Sequence, residues 1–179
     1  MAMSNKVKFS GQHQSLEYVA LHYLDVRTAL IDFFAGTSPD LQVRYAGAKI
    51  DDARETSLRE LDLNSSLAVL SSVEAAVRID YLSRSYARKK DPLSKAMRAI
   101  YTRRGNAAKL EDDLLQAWCD DGVVPKALTG ELIGAFKYRH WLAHGRYWTP
   151  KLGRIYDYVT VYGIAEEFLD AVERYKQFR

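Results

Sequence analysis

The stretch Leu67-Ala-Val-Leu-Ser-Ser-Val-Glu-Ala-Ala-Val-Arg-Ile-Asp-Tyr-Leu82 decides the fold class. Leu67, Leu70, Val73, Val77, Tyr81 and Leu82 recur at spacings of three and four, which lines one face of an α-helix. Glu74 and Arg78 stand four apart with the acid first, the favourable order for an intrahelical pair. The segment 66–89 is the strongest of several helical patterns, and no stretch of convincing length alternates as a half-buried strand would.

Toward the N-terminus, residues 1–12 read as a polar lead-in. From His13 to Phe34 a second apolar set recurs at helical spacing: Leu16, Val19, Ala20, Tyr23, Val26, Leu30 and Phe33/Phe34. Gly36-Thr-Ser-Pro39 stops it. His13 and His22 are expected at its surface. Residues 40–52 read as a connection, with Asp51 or Asp52 capping a helix that carries Leu58, Leu61 and Leu63. Asn64-Ser65-Ser66 either breaks that helix or is crossed by it.

Toward the C-terminus the chain turns basic. Arg84, Arg88, Lys89, Lys90, Lys95, Arg98, Arg103, Arg104 and Lys109 are interrupted by a single acid, Asp91. A field of one sign attracts phosphate backbones or acidic surfaces, and equally describes a solvated face. Residues 110–121 swing acidic, and Asp112-Asp113 is read as an exposed helix face. Cys119 has no basic neighbour to activate its thiol. A helix over 126–144 starts near Thr129, because Gly130 weakens the earlier residues. A final helix runs from Tyr156 to Phe178.

The whole reads as one all-α domain over 1–179, a helical bundle. Its 179 residues suffice for a core without bridges. The single cysteine excludes an intramolecular disulfide and a zinc–thiolate cluster. Net charge is only +3, so its distribution says more than its sum. No signal peptide and no membrane span is evident, so the expected location is the cytoplasm.

Lys137-Tyr-Arg-His-Trp-Leu-Ala-His-Gly-Arg-Tyr-Trp148 concentrates the candidate chemistry. Gly145 is a candidate C′ residue and Pro150 prevents continuation, which puts His144 in the last turn of its helix. His140 and His144 share a face, but the pair lacks the intervening glutamate of the two-histidine metalloprotease signature. No metal and no cofactor is expected. Arg139 and His144 lie about 140° apart around a helix axis, so they border one groove or meet counterparts from a second chain. Arginine offers a permanent cationic fork to phosphoryl oxygens. Histidine moves protons near neutral pH. Together they suffice for RNA cleavage without a metal. The bland alternative is that both side chains pair within the bundle while Trp141, Tyr147 and Trp148 fill core.

Arg139-His-Trp-Leu-Ala-His144-Gly resembles the signature of the HEPN superfamily: an arginine, a polar residue (here His140), and a histidine after four to six positions. Glu74-Ala-Ala-Val-Arg78-Ile-Asp80 resembles the glutamate–arginine helix of several branches. Where some members carry a modifiable tyrosine two positions after the histidine, this chain has Arg146, followed by Tyr147. The resemblance covers most of the chain. It implies a four-helix core with additional short helices and a homodimer with a composite cleft. It also implies a metal-independent endoribonuclease leaving 2′,3′-cyclic phosphate and 5′-hydroxyl ends, in a toxin or antiviral defence role. Arg139, His144 and His140 would be catalytic. Lys137, Arg146, Tyr147, Arg78, Arg84, Arg88, Arg103 and Arg104 would hold RNA, and Glu74 would support them. A nucleotidyltransferase or other antitoxin is a possible partner. Two other readings stay open: a catalytically inactive dimerisation or RNA-binding module, and a metal-dependent hydrolase built on His140 and His144.

Overall fold

Ser15 opens the first helix, α1 (Leu16–Ala35), by accepting the Tyr18 N–H at 3.2 Å. The computed structural model describes residues 6–177, so the first five residues of the polar lead-in and Phe178 lie outside the described residues. Helix α1 ends at Gly36 as its sequence signals, and His13 precedes it while His22 is exposed on it.

The expected connection after α1 contains a short helix, α2 (Pro39–Arg44). Ser38 caps it, Pro39 sits in its first turn, and Leu41 is buried. Next comes α3 (Ile50–Ala87), one unbroken helix of 38 residues, about 57 Å long. Asn64-Ser65-Ser66 does not interrupt it. The Asn64 amide donates to the Glu60 carbonyl and the Ser66 hydroxyl to the Asp62 carbonyl, both at 2.8 Å. These polar side chains thus bond back into their own helix. Lys49 occupies the N-cap without a side-chain bond. Asp51 and Asp52 are not caps but lie in the first turn, where they complement the helix dipole.

Helix α4 (Pro92–Arg104) is capped by Asp91, which accepts the Ser94 N–H at 2.9 Å. A π-helical turn over Leu110–Leu115 runs into the short α5 (Gln116–Asp120). Helix α6 (Lys126–Ala143) starts directly after Pro125, earlier than expected, because Thr129 donates to the Pro125 carbonyl instead of capping. Helix α7 (Tyr158–Gln177) follows Asp157, which accepts the Thr160 N–H at 2.8 Å.

Among the described residues the secondary structure is helical, with seven α-helices and no strand. Helix α3 is the axis: α1, α6 and α7 pack along it, α6 also packs on α7, and α4 with α5 closes the remaining side. The core takes Val69, Leu70, Val73, Val77 and Tyr81 from α3 and Leu132, Ala135 and Phe136 from α6. Val161, Ala165 and Phe168 come from α7, Leu93 and Met97 from α4, and Trp118 from α5. Burying such side chains stabilises the fold by about 1.5–3 kcal/mol each before entropy is counted. No described helix is long and apolar enough to cross a membrane.

Candidate active site

Helix α6 ends in a double-bonded turn. Its C-cap is His144, and Gly145 follows at φ +79°. The Gly145 N–H donates to the Leu142 carbonyl at 3.3 Å and the Arg146 N–H to the Trp141 carbonyl at 3.1 Å. This pair of bonds is a Schellman motif, and Gly145 is the residue that makes its left-handed position cheap. The segment beyond doubles back over α6: Trp141 donates through Nε1 to the Trp148 carbonyl at 2.6 Å. Further on, Tyr156 stacks on Tyr138 with ring centroids 5.5 Å apart. Gly134 makes room for that return, since a Cβ there would collide with the Tyr156 hydroxyl.

Three of the expected site residues meet across α3 and α6. Glu74 accepts the Arg78 Nε–H through Oε1 at 2.8 Å and pairs with Arg139 Nη2 through Oε2 at 3.1 Å. Arg78 also donates through Nη1 to the Ala108 carbonyl at 3.2 Å. Glu74 is thus a bridge between two arginines, one on its own helix and one on the motif helix. Arg139 is one-third exposed, and its Nε is buried with no hydrogen-bond partner among the described residues. Buried donors without partners are uncommon in folded proteins.

His140 and His144 are both exposed, with ring centroids 4.2 Å apart, and Trp148 lies 6.0 Å from His140. Tyr147 meets Trp148 edge to face at 4.7 Å. Arg146 pairs with Glu60 at 2.8 Å. The Arg146 hydrogen bond holds the Glu60 carboxyl below its ordinary range, and Glu60 in turn raises the Arg146 guanidinium. Among the described residues, no group of three or more His, Cys, Asp or Glu side chains gathers to hold a metal ion.

The basic segment divides. Arg88 and Arg103 are exposed, as is Lys137 on α6. Arg104 pairs with Asp113 at 3.0 Å, and Asp113 also accepts the Lys109 N–H. Asp113 is therefore tucked into the start of the π-helical turn, not displayed on an open acidic face. Arg84 does not face outward either. Its side chain is 5% exposed, paired to Asp80 at 2.7 Å and to Asp91 at 3.3 Å. It lies 5.2 Å from the rings of both Trp118 and Tyr175. Arg84 joins α3, α4, α5 and α7 and is closed to an external ligand. Its clue in the sequence was Asp80, four positions earlier, the same acid-first spacing as Glu74 and Arg78.

Sequence reasoning overlooked Glu60. Glu60 and Glu74 are fourteen residues apart, so on an unbroken helix they lie within about 40° of one line. That line faces the end of α6, where Glu74 takes Arg139 and Glu60 takes Arg146. The relation becomes visible only once Asn64-Ser65-Ser66 is known to be helical. No family model matches this chain, and neither the curated proteins nor the solved structures contain a match.

Proposed function

We propose that this chain is a metal-independent endoribonuclease of HEPN type, acting as a homodimer. The observation that carries the reading is the Glu74 bridge. It holds Arg139 by one end of its guanidinium and leaves a third of the side chain exposed, on the helix whose last turn exposes His140 and His144. An arginine fixed in this way is preorganised for an anion, with no reorganisation when charge develops.

In this reading Arg139 contacts the scissile phosphate. The ribose 2′-oxygen attacks the adjacent phosphorus and loses its proton, while the bond from phosphorus to the 5′-oxygen breaks and that oxygen gains a proton. The products are a 2′,3′-cyclic phosphate and a 5′-hydroxyl. His144 moves a proton at one of these two oxygens, and His140 adds polarity beside it. Arg139 and arginine from the second copy stabilise the charge on the pentacoordinate phosphorus. DNA lacks the 2′-hydroxyl and is inert by this route. Exposed Arg88, Arg103 and Lys137 are candidates for holding the RNA backbone. A toxin or antiviral defence role, with a neutralising partner such as a nucleotidyltransferase, accords with the same resemblance.

The test is cleavage of end-labelled RNA in EDTA by wild type, Arg139→Ala and His144→Ala. Wild type is expected to cleave and each variant to lose about 10²- to 10⁴-fold in rate. Undiminished cleavage by both variants sinks the site. Cleavage abolished by EDTA moves the chemistry to a metal. Dimerisation and RNA binding without cleavage assign the chain to the inactive module class.

A further inference from the structure

Tyr147 is 84% exposed, yet it does not sit on a loose loop. Its backbone neighbours are pinned three ways. The Arg146 N–H closes the Schellman turn on the Trp141 carbonyl. The Arg146 side chain is held by Glu60 at 2.8 Å. The Trp148 carbonyl accepts the Trp141 indole N–H at 2.6 Å. Trp148 braces the tyrosine ring edge to face at 4.7 Å, and the chain of rings continues through His140 to His144. Arg146 itself takes a left-handed conformation at φ +58°, which costs a non-glycine residue about 1–2 kcal/mol. Apart from its edge contact with Trp148, an aromatic ring left 84% exposed at this corner buries little in the fold. It is suited to receive another flat apolar surface.

Resting on the RNA reading of this site, we propose that Tyr147, backed by Trp148, is the stacking platform for one unpaired base of the bound RNA at the end of α6 where His140 and His144 are exposed. Bases stack on aromatic side chains with little regard to sequence, because every base has a π-face. A base inside a duplex has both faces covered by its neighbours and offers no such surface. The platform therefore makes the site selective for single-stranded or looped RNA over continuous duplex. The hydroxyl of Tyr147 is not required, and a phenylalanine serves equally.

Binding separates this inference from the cleavage chemistry. The probes are a fluorescein-labelled 2′-O-methyl RNA single strand, which the proposed reaction cannot cut, and its blunt duplex. Anisotropy titrations compare wild type, Tyr147→Ala and Tyr147→Phe. The alanine variant is expected to bind the single strand about tenfold more weakly and the duplex unchanged. The phenylalanine variant should match wild type on both. Equal single-strand binding by wild type and Tyr147→Ala overturns the platform, as does a loss in Tyr147→Phe as large as in Tyr147→Ala. Tyr147-dependent binding by a wild type that cleaves no unmodified RNA sustains the platform while the nuclease reading fails.

Discussion

Arg84 and Arg139 each pair with a carboxylate on α3, and the two pairs do different work. Arg84 is 5% exposed between Asp80 and Asp91, against the edge-to-face pair of Trp118 and Tyr175. Arg139 keeps one-third of its side chain in water and one donor without a partner. Removing one member of a buried pair strands the other charge, which costs about 3–5 kcal/mol, whereas Glu74 keeps its bond from Arg78 when Arg139 is removed, so no charge is stranded there. Arg84→Ala is therefore expected to lower the urea midpoint severely, and Arg139→Ala barely to move it. The converse is expected for cleavage per folded molecule, which Arg139→Ala should lower about 10²- to 10⁴-fold. If the two variants melt alike, the division of labour between these arginines is wrong. The sequence reads Arg84 as one of a basic run and Arg139 as part of the arginine–histidine motif, and neither reading tells which is buried. Burial is decided by which partners the fold brings, here Asp91 and two aromatic rings from distant segments.

Helix α6 is the element on which the site depends, and its end was legible. Gly145 after a run of helical spacing, with Pro150 beyond, marks a helix stop through backbone sterics alone, and the Schellman bonds follow. The stop of α1 at Gly36 was legible for a similar reason. The starts were less so. Thr129 and Asp51 resemble caps, but Thr129 bonds back to the Pro125 carbonyl and both helices begin upstream, at Lys126 and Ile50. Helix α2 is only 6 residues long, too short for a periodic signal. The continuity of α3 through Asn64-Ser65-Ser66 was open because such residues bond equally well to turns and to their own helix. Gly145 carries the consequence for function. Alanine at φ +79° costs about 1–2 kcal/mol. Relief comes by fraying the last turn, which releases His144 and the Arg146–Glu60 pair. Gly145→Ala is expected to lower cleavage far more than global stability, while Gly145→Asn, better tolerated in that conformation, recovers most of it. Equal activity in Gly145→Ala and wild type dissociates the turn from the chemistry.

At the scale of the whole molecule, stability has an acid edge and an alkaline edge whose causes lie in the same packing. Asp91 is half-buried, which pushes its carboxyl up, but the Ser94 hydroxyl and N–H and the Arg84 guanidinium outweigh this and hold it below 3.8. Asp157 is lowered chiefly by its bonds from Thr160. A carboxyl lowered in the folded state favours folding at pH above its unfolded value. That contribution disappears as pH falls from about 4 through the folded value. Burial, helped by neighbouring Tyr101 and Asp113, pushes Tyr81 up to about 12. Burial with Tyr162 and Tyr23 nearby does the same to Tyr158. Between pH 10 and 12 the unfolded chain gives up these two phenolic protons and the folded chain keeps them, so unfolding gains and stability falls as pH rises. Urea midpoints measured from pH 2 to 12 should form a plateau that drops below about pH 4 and above about pH 10. The edges are separable by substitution. Asp91→Asn should lower the plateau and flatten the acid drop while leaving the alkaline one. Tyr158→Phe, which keeps the ring that stacks on Tyr23 at 3.7 Å, should soften the alkaline drop alone. A drop above pH 10 that is equally steep in Tyr158→Phe would show that buried Tyr158 does not set that edge.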